Sequence, residues 1–375
     1  MLRTALDIGF VSLALGLLTG AVSGQAQPDN TYWVYVAAES ADLVHLVRFG
    51  PDGAEVERTI PVGESAVETE GPHGLRISPD GRYLYMTTGH GIPDGKLWKF
   101  ATGADTLVAA PILLGYFPAT LDLTPDGLYA FIVNFNLHGE MVPSTVSVVY
   151  TPSMMEVTQT ETCTMPHGNR MSPDGTSTYS ACMMDDQIVE LDTQTFEVAR
   201  RFDVAKGHEG GWSTDHAGSM DMDSMDPTCS PTWAQVNPAG TLLYVACNRG
   251  DEILEISVAD WTLVRKFPTG RGPYNLAITP NGSTLIASLK QGGAVEFFDL
   301  ASGTSRGIVQ STTTVTHGVE VSPDSRYAFI SVEGVGAEPG KVDIIDLGTL
   351  ELVDSVPVGQ QAGGIAFWKM DEGGT

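Results

Sequence analysis

The stretch PHGLRISPDG at residues 72–81 returns as PHGNRMSPDG at 166–175 and as HGVEVSPDS at 317–325. Its tail is turn chemistry: proline presets φ, and glycine accepts the left-handed conformation that closes the turn. Related turns stand as TPDG at 124–127, NPAG at 237–240 and TPNG at 280–283. A short apolar segment precedes each turn, and another follows: RYLYMTT, LYAFIVN, TSTYSAC, TLLYVAC, STLIASL and RYAFISV. Alternating β-branched and aromatic residues around a tight turn specify a β-hairpin.

Two more strand-like runs follow each hairpin, such as EILEISV and LVRKFPT after NPAG, or KVDIIDL and LELVDSV after SPDS. Four strands in each repeat of ~45 residues is the pattern of a propeller blade. Complete copies begin near residues 72, 118, 166, 231, 273 and 317. The N-terminal runs YWVYVAAE, LVHLVRFG and AEVERTIPV lack a leading strand, and AGGIAFWKM at 362–370 is a leading strand with nothing after it. Together they make a seventh blade. The expectation is an all-β, seven-bladed β-propeller of four-stranded blades, closed by its C-terminal strand. It forms one domain over residues 27–375, with an inserted loop at 207–229.

SPDGRYLYMTT, NPAGTLLYVACNRGDEILEISV and SPDSRYAFISVEG resemble the repeats of YVTN-type (YncE-like) β-propeller proteins. The resemblance spans nearly the whole chain after residue 26. It implies kinship with the propeller domains of nitrous oxide reductase, cytochrome d1 and methylamine dehydrogenase. Some of those carry cofactors and others do not, so it speaks to fold and not to function.

The 375 residues include 46 acidic and 20 basic side chains, a net charge of −26. A nucleic-acid partner is excluded, because binding one needs a basic surface that displaces counterions. An anionic membrane surface is disfavoured for the same reason. The first 26 residues read as a secretory signal: Arg3, an apolar run from Ile8 to Leu18, then small residues from Gly20 to Ala26. A periplasmic or secreted protein with no membrane span after cleavage is expected.

In a blade the strands run A to D outward from the axis. His73, His167 and His317 each begin a strand A, on the face that carries the B–C loops and D–A crossings; we name this the top face. Aligned positions in the other blades are Ala119, Thr232, Tyr274 and Gly363. Histidine thus occupies blades two, four and seven, a nearly trigonal spread about one axis. His90 and His138 fall in B–C loops of the same face. His208 and His216 fall in the insertion with Met220, Met222 and Met225. Three imidazoles with an open position can hold copper or zinc, and the nearby thioethers, including Met165, Met183 and Met184, favour copper. The competing reading is structural: each ring bonds a neighbouring blade while the next glycine permits the crossing. Strand alternation supports that reading, since His73 shares parity with the core residues Leu75 and Ile77. Direct binding of a small ligand without metal is a third reading.

Cys163 and Cys229 precede strand A of blades four and five, and Cys182 and Cys247 end strand B of the same blades. Antiparallel A and B strands would place them for disulfides 163–182 and 229–247; thiolate ligation is the rival. Arg249, Arg271 and Lys290 map to the top of blades five and six, where with Tyr274 they would orient a small anionic substrate. No phosphate-binding glycine loop or HExxH helix occurs, and the string GTSRG at 303–307 falls in a strand repeat and not on the strand-to-helix turn of a nucleophile elbow. The leading expectation is a copper-binding pocket with redox chemistry on a small anion. The alternatives are a metallochaperone that uses the Met/His loop as a capture arm, and a protein-interaction scaffold. Lactone hydrolysis is weaker still, because no acidic Ca²⁺ site can be assembled.

Overall fold

The computed structural model describes residues 27–65, 67–90, 95–211 and 226–373. Residues 1–26 and the insertion residues His216, Met220, Met222 and Met225 lie outside them. The SPDG-type turns join the A and B strands of blades two to seven as expected. In blade two, strand A (Pro72–Ile77) turns through Gly81 at φ 72° into strand B (Tyr83–Thr88). Ser78 Oγ donates to Asp80 and accepts the Tyr83 N–H at 2.9 Å, so the turn's own side chains satisfy its backbone. Ser172/Asp174, Thr124/Asp126 and Ser322/Asp324 repeat the device.

Seven antiparallel sheets follow, each with its leading strand innermost. The innermost strands are Pro72–Ile77, Pro118–Leu123, Pro166–Met171, Pro231–Val236, Pro273–Ile278, Thr316–Val321 and Ala362–Asp371. Each touches the next around a ring, which the C-terminal strand closes by pairing with Thr31–Ala38 in blade one. Apolar clusters fill the wedges between blades, such as Tyr32, Phe49, Tyr327 and Phe329 between blades one and seven. Among the described residues no helix is long and apolar enough to cross a membrane.

Cys163–Cys182 and Cys229–Cys247 are disulfide-bonded, so the thiolate alternative falls. Their sequence separations of 19 and 18 residues make each worth about 3 kcal/mol by the loop-closure relation. They flank the insertion, whose far end is also tied down by Asp186. This residue sits at φ 49° and its carboxylate accepts the backbone N–H groups of Thr228, Cys229 and Ser230. Asp186→Ala is expected to destabilise the protein by about 2–4 kcal/mol, because it orphans these partly buried donors. Urea denaturation checks this; a loss below about 0.5 kcal/mol would contradict it.

Candidate functional site at the top of the channel

Strand alternation alone would turn His73 into the interblade core. It does not, because strand A is bulged at this point. The register of strands A and B shifts between Pro72 and Leu75 in blade two, between Pro166 and Asn169 in blade four, and between Thr316 and Val319 in blade seven. A bulge resets the facing of the residues before it. The bulge N–H groups are caught by strand-B hydroxyls that also reach the next blade. Thr87 Oγ1 accepts from Gly74 N at 2.8 Å and donates to Ala119 O at 2.9 Å. Ser331 does the same for Gly318 N and Gly363 O, and Ser288 for Asn275 N and His317 O. Gly74 is needed for this close approach: a Cβ there would lie 2.1 Å from Ala119 O.

The three imidazoles therefore meet. The His73 ring lies 6.1 Å from that of His167 and 5.9 Å from that of His317, edge to face in both cases. All three are buried, at 7%, 1% and 6% exposure. His73 Nδ1 is 3.1 Å from Glu39 Oε2, and His167 Nδ1 is 3.0 Å from Thr232 O. A carbonyl only accepts, so His167 carries its proton on Nδ1 and its Nε2 is a lone pair. Tyr274 Oη donates to that Nε2 at 2.8 Å. Among the described residues His317 Nδ1, which is buried, has no hydrogen-bond partner.

Glu39 has no counterpart in the sequence reading. It lies on a short 3-10 turn, Glu39–Ala41, and is 3% exposed. Burial works to raise its carboxyl, but His73 and His90 outweigh this and hold it well below the usual carboxylate range. His90 Nε2 bonds Glu39 Oε1, which pushes His90 up. His138, exposed, reaches His90 Nδ1 at 3.4 Å. Phe117 packs edge-on against His73, His90 and His138 and joins the two groups. Burial depresses His167 to about 3, with the neighbouring His73 adding to the effect. Burial, then Lys290, drives His317 well below its ordinary value.

Two consequences follow for acid. The unfolded chain takes up protons near the ordinary histidine range, whereas folded His167 and His317 refuse them. Their contribution to stability therefore falls as pH drops below about 6.5. The raised His90 works in the opposite sense: its contribution is fully present below about 6.5 and is lost as pH rises through the folded value. Imidazole NMR is expected to show His167 still neutral at about pH 4.5 and His90 titrating above the ordinary histidine value. A His167 midpoint near the ordinary value would overturn this electrostatic picture.

The predicted cations are dispersed. Lys290 sits at the mouth, 4.2 Å over the Tyr274 ring, and pairs with Glu333 at 2.9 Å. Arg249 is exposed and pairs with Asp226 at 3.0 Å, and Arg271 is exposed; among the described residues neither guanidinium contacts an imidazole of the cluster. His208 is exposed. Met165, Met183 and Met184 pack into the apolar wedge around Phe117, Phe135 and the Cys163–Cys182 bridge. Their sulfurs belong to that packing. Among the described residues no three His, Cys, Asp or Glu side chains are already gathered at metal-ligand distances. The donor set nonetheless suits a divalent metal. Two imidazoles have their second nitrogen held by an acceptor, as metal-ligating histidines do, and the third has an orphaned buried nitrogen.

No family model matches the chain, and no curated protein matches it. Among solved structures it is similar to Kuenenia stuttgartiensis hydrazine synthase, at 19% identity and a TM-score of 0.63 over 81% of this chain and 92% of that one. At that identity the likeness speaks for the fold alone, a seven-bladed β-propeller.

Proposed function

We propose that this is an exported propeller whose top mouth binds one divalent transition metal through His73, His167 and His317, copper(II) ahead of zinc. The observation that carries the reading is the pair of oriented rings: Glu39 and Thr232 hold Nδ1 of His73 and His167, so Nε2 is the nitrogen each ring has left to offer a metal. Centroid separations of 6.1 and 5.9 Å are near the ~5–6 Å expected of two imidazoles sharing an ion, given metal–nitrogen bonds of about 2.0–2.1 Å. Small side-chain rotations would complete the set, with Tyr274 releasing His167 Nε2. His90 and His138 are close enough to Glu39 to serve as an entry relay. Bound copper would supply Lewis-acid or one-electron chemistry. The two disulfides suit the oxidising compartment that this reading places the protein in.

Metal analysis of protein secreted with added copper tests the idea. About one equivalent per chain is expected, lost in the His73→Ala/His167→Ala/His317→Ala variant and retained on deleting residues 208–226. Retention of metal by the triple variant would refute the site, and loss only on the loop deletion would shift the function to a capture arm. A second reading is supported by Lys290 over Tyr274: a small anion bound beside the imidazoles without metal. In that case the protein stays metal-free while anions shift the His317 and Tyr274 NMR signals.

A further inference from the structure

Three residues beyond each top-ring position, every strand A places another side chain at the opposite mouth of the channel. Around the ring these are Arg76, Asp122, Arg170, Gln235, Ala277 and Glu320, closed by Ala366. They line two adjoining cavities of about 440 and 310 Å³ that share Arg76, Asp122 and Glu320. One ion pair here is complete. Arg76 Nε lies 2.8 Å from Asp122 Oδ1, and Asp122 Oδ2 accepts the Met171 N–H at 2.9 Å.

Two charges are left over. Arg170 lies 4.4 Å over the Trp233 ring and donates only to Gln235 Oε1 at 3.2 Å and to its neighbour's carbonyl, Asn169 O, at 3.1 Å. Among the described residues no carboxylate lies within ion-pair distance of it. Burial, then Arg76, pulls its guanidinium down to about 10. Among the described residues Glu320, from blade seven, has only Arg76 Nη1 as an ion-pair partner, at 3.9 Å, and burial pushes its carboxyl up. Arg170 and Glu320 project from blades four and seven and face the same space. An under-paired charge shielded from water is costly, and both signs are present here, attracting one another across the cavity without closing an ion pair. Just above, Trp233 Nε1 and Asn275 Oδ1 are buried without partners. These two residues line the small cavity that continues from Arg170 and Glu320 toward His73 and His317.

We propose that this lower mouth binds a small zwitterion of the amino-acid type, with its carboxylate on Arg170 and its ammonium on Glu320. A guanidinium fork matches a carboxylate in shape as well as charge. A simple anion would satisfy Arg170 but face Glu320, and a simple cation would do the reverse; only a ligand carrying both ends satisfies both walls. The site is independent of the metal reading at the top mouth.

The test is calorimetric or NMR titration of the disulfide-intact protein with glycine and alanine, against acetate and methylammonium at equal ionic strength. Saturable amino-acid binding at least about tenfold tighter than either single-charge probe is expected. Arg170→Gln and Glu320→Gln should each weaken it about tenfold or more. Should a variant fail to fold, the wild-type comparison decides alone. Acetate or methylammonium binding as tightly as glycine, or no saturation by the amino acids below about 100 mM, would overturn the proposal.

Discussion

A chain ending at Gln361 is expected to lose cooperative folding altogether. Blade one takes its innermost strand only from Ala362–Asp371, which pairs with Thr31–Ala38. Without it the buried face carrying Val34 and Val36 is uncovered, and blades two and seven each lose a neighbour. Ala362, Ile365 and Ala366 leave the core. Ser331 Oγ loses Gly363 O, and Gly81 O loses Trp368 Nε1. A fully buried large apolar side chain contributes about 1.5–3 kcal/mol, and ordinary stabilities are about 5–15 kcal/mol. The lost strand and the two opened wedges consume that margin. The exposed edge of Thr31–Ala38 also invites pairing between chains. Scanning calorimetry and size exclusion should show no sharp transition and a shift to aggregates; a monomer melting sharply within a few degrees of the intact protein would contradict this.

Gly74→Ala is a point substitution with a large expected effect. The added methyl would meet Ala119 O at 2.1 Å and Thr87 Oγ1 at 2.9 Å. Both atoms belong to the hydrogen-bonded junction between blades two and three, so neither yields without breaking it. A loss of about 3–5 kcal/mol is expected. Gly81→Ala is the internal control. Gly81 has φ 72° but nothing within 4 Å of a new Cβ, so only backbone strain of about 1–2 kcal/mol applies. Urea denaturation of the two variants side by side tests the packing argument, and equal losses would contradict it. If the metal reading holds, Gly74→Ala also displaces His73 and weakens metal binding by about tenfold or more.

Much of the fold was legible because the turns carry their own mechanism. A serine or threonine two residues before an aspartate, with glycine to follow, encodes both the bond and the φ that the structure shows at Ser78, Asp80 and Gly81. The disulfides were legible from repeat position, as was the shared face of the three histidines, but not the turning of their rings toward one another. The bulge was not. A binary pattern read at period two assigns His73 to the core, and the resetting device is a hydroxyl on a different strand, Thr87, with nothing in the local string to announce it. Nor was the second imidazole reading wholly displaced: His167 does bond the neighbouring blade, through Thr232 O, as the structural alternative required. Glu39 was missed because its place depends on a 3-10 turn. Arg76, Arg170 and Glu320 were hidden because no single residue type repeats at their position, which reads Arg, Asp, Arg, Gln, Ala, Glu and Ala around the ring. The same repeat alignment, moved three places along, would have displayed them as a ring.

The displaced register at the head of each inner strand has an evolutionary corollary. It uncouples what a blade shows to the axial opening from what it contributes to the wedges beside it. Imidazole, methyl, hydroxyl, phenol and bare hydrogen all occupy the equivalent position in this one molecule, over an unchanged framework. A lineage built this way can rewrite the chemistry at its entrance one blade at a time, without renegotiating its hydrophobic interior.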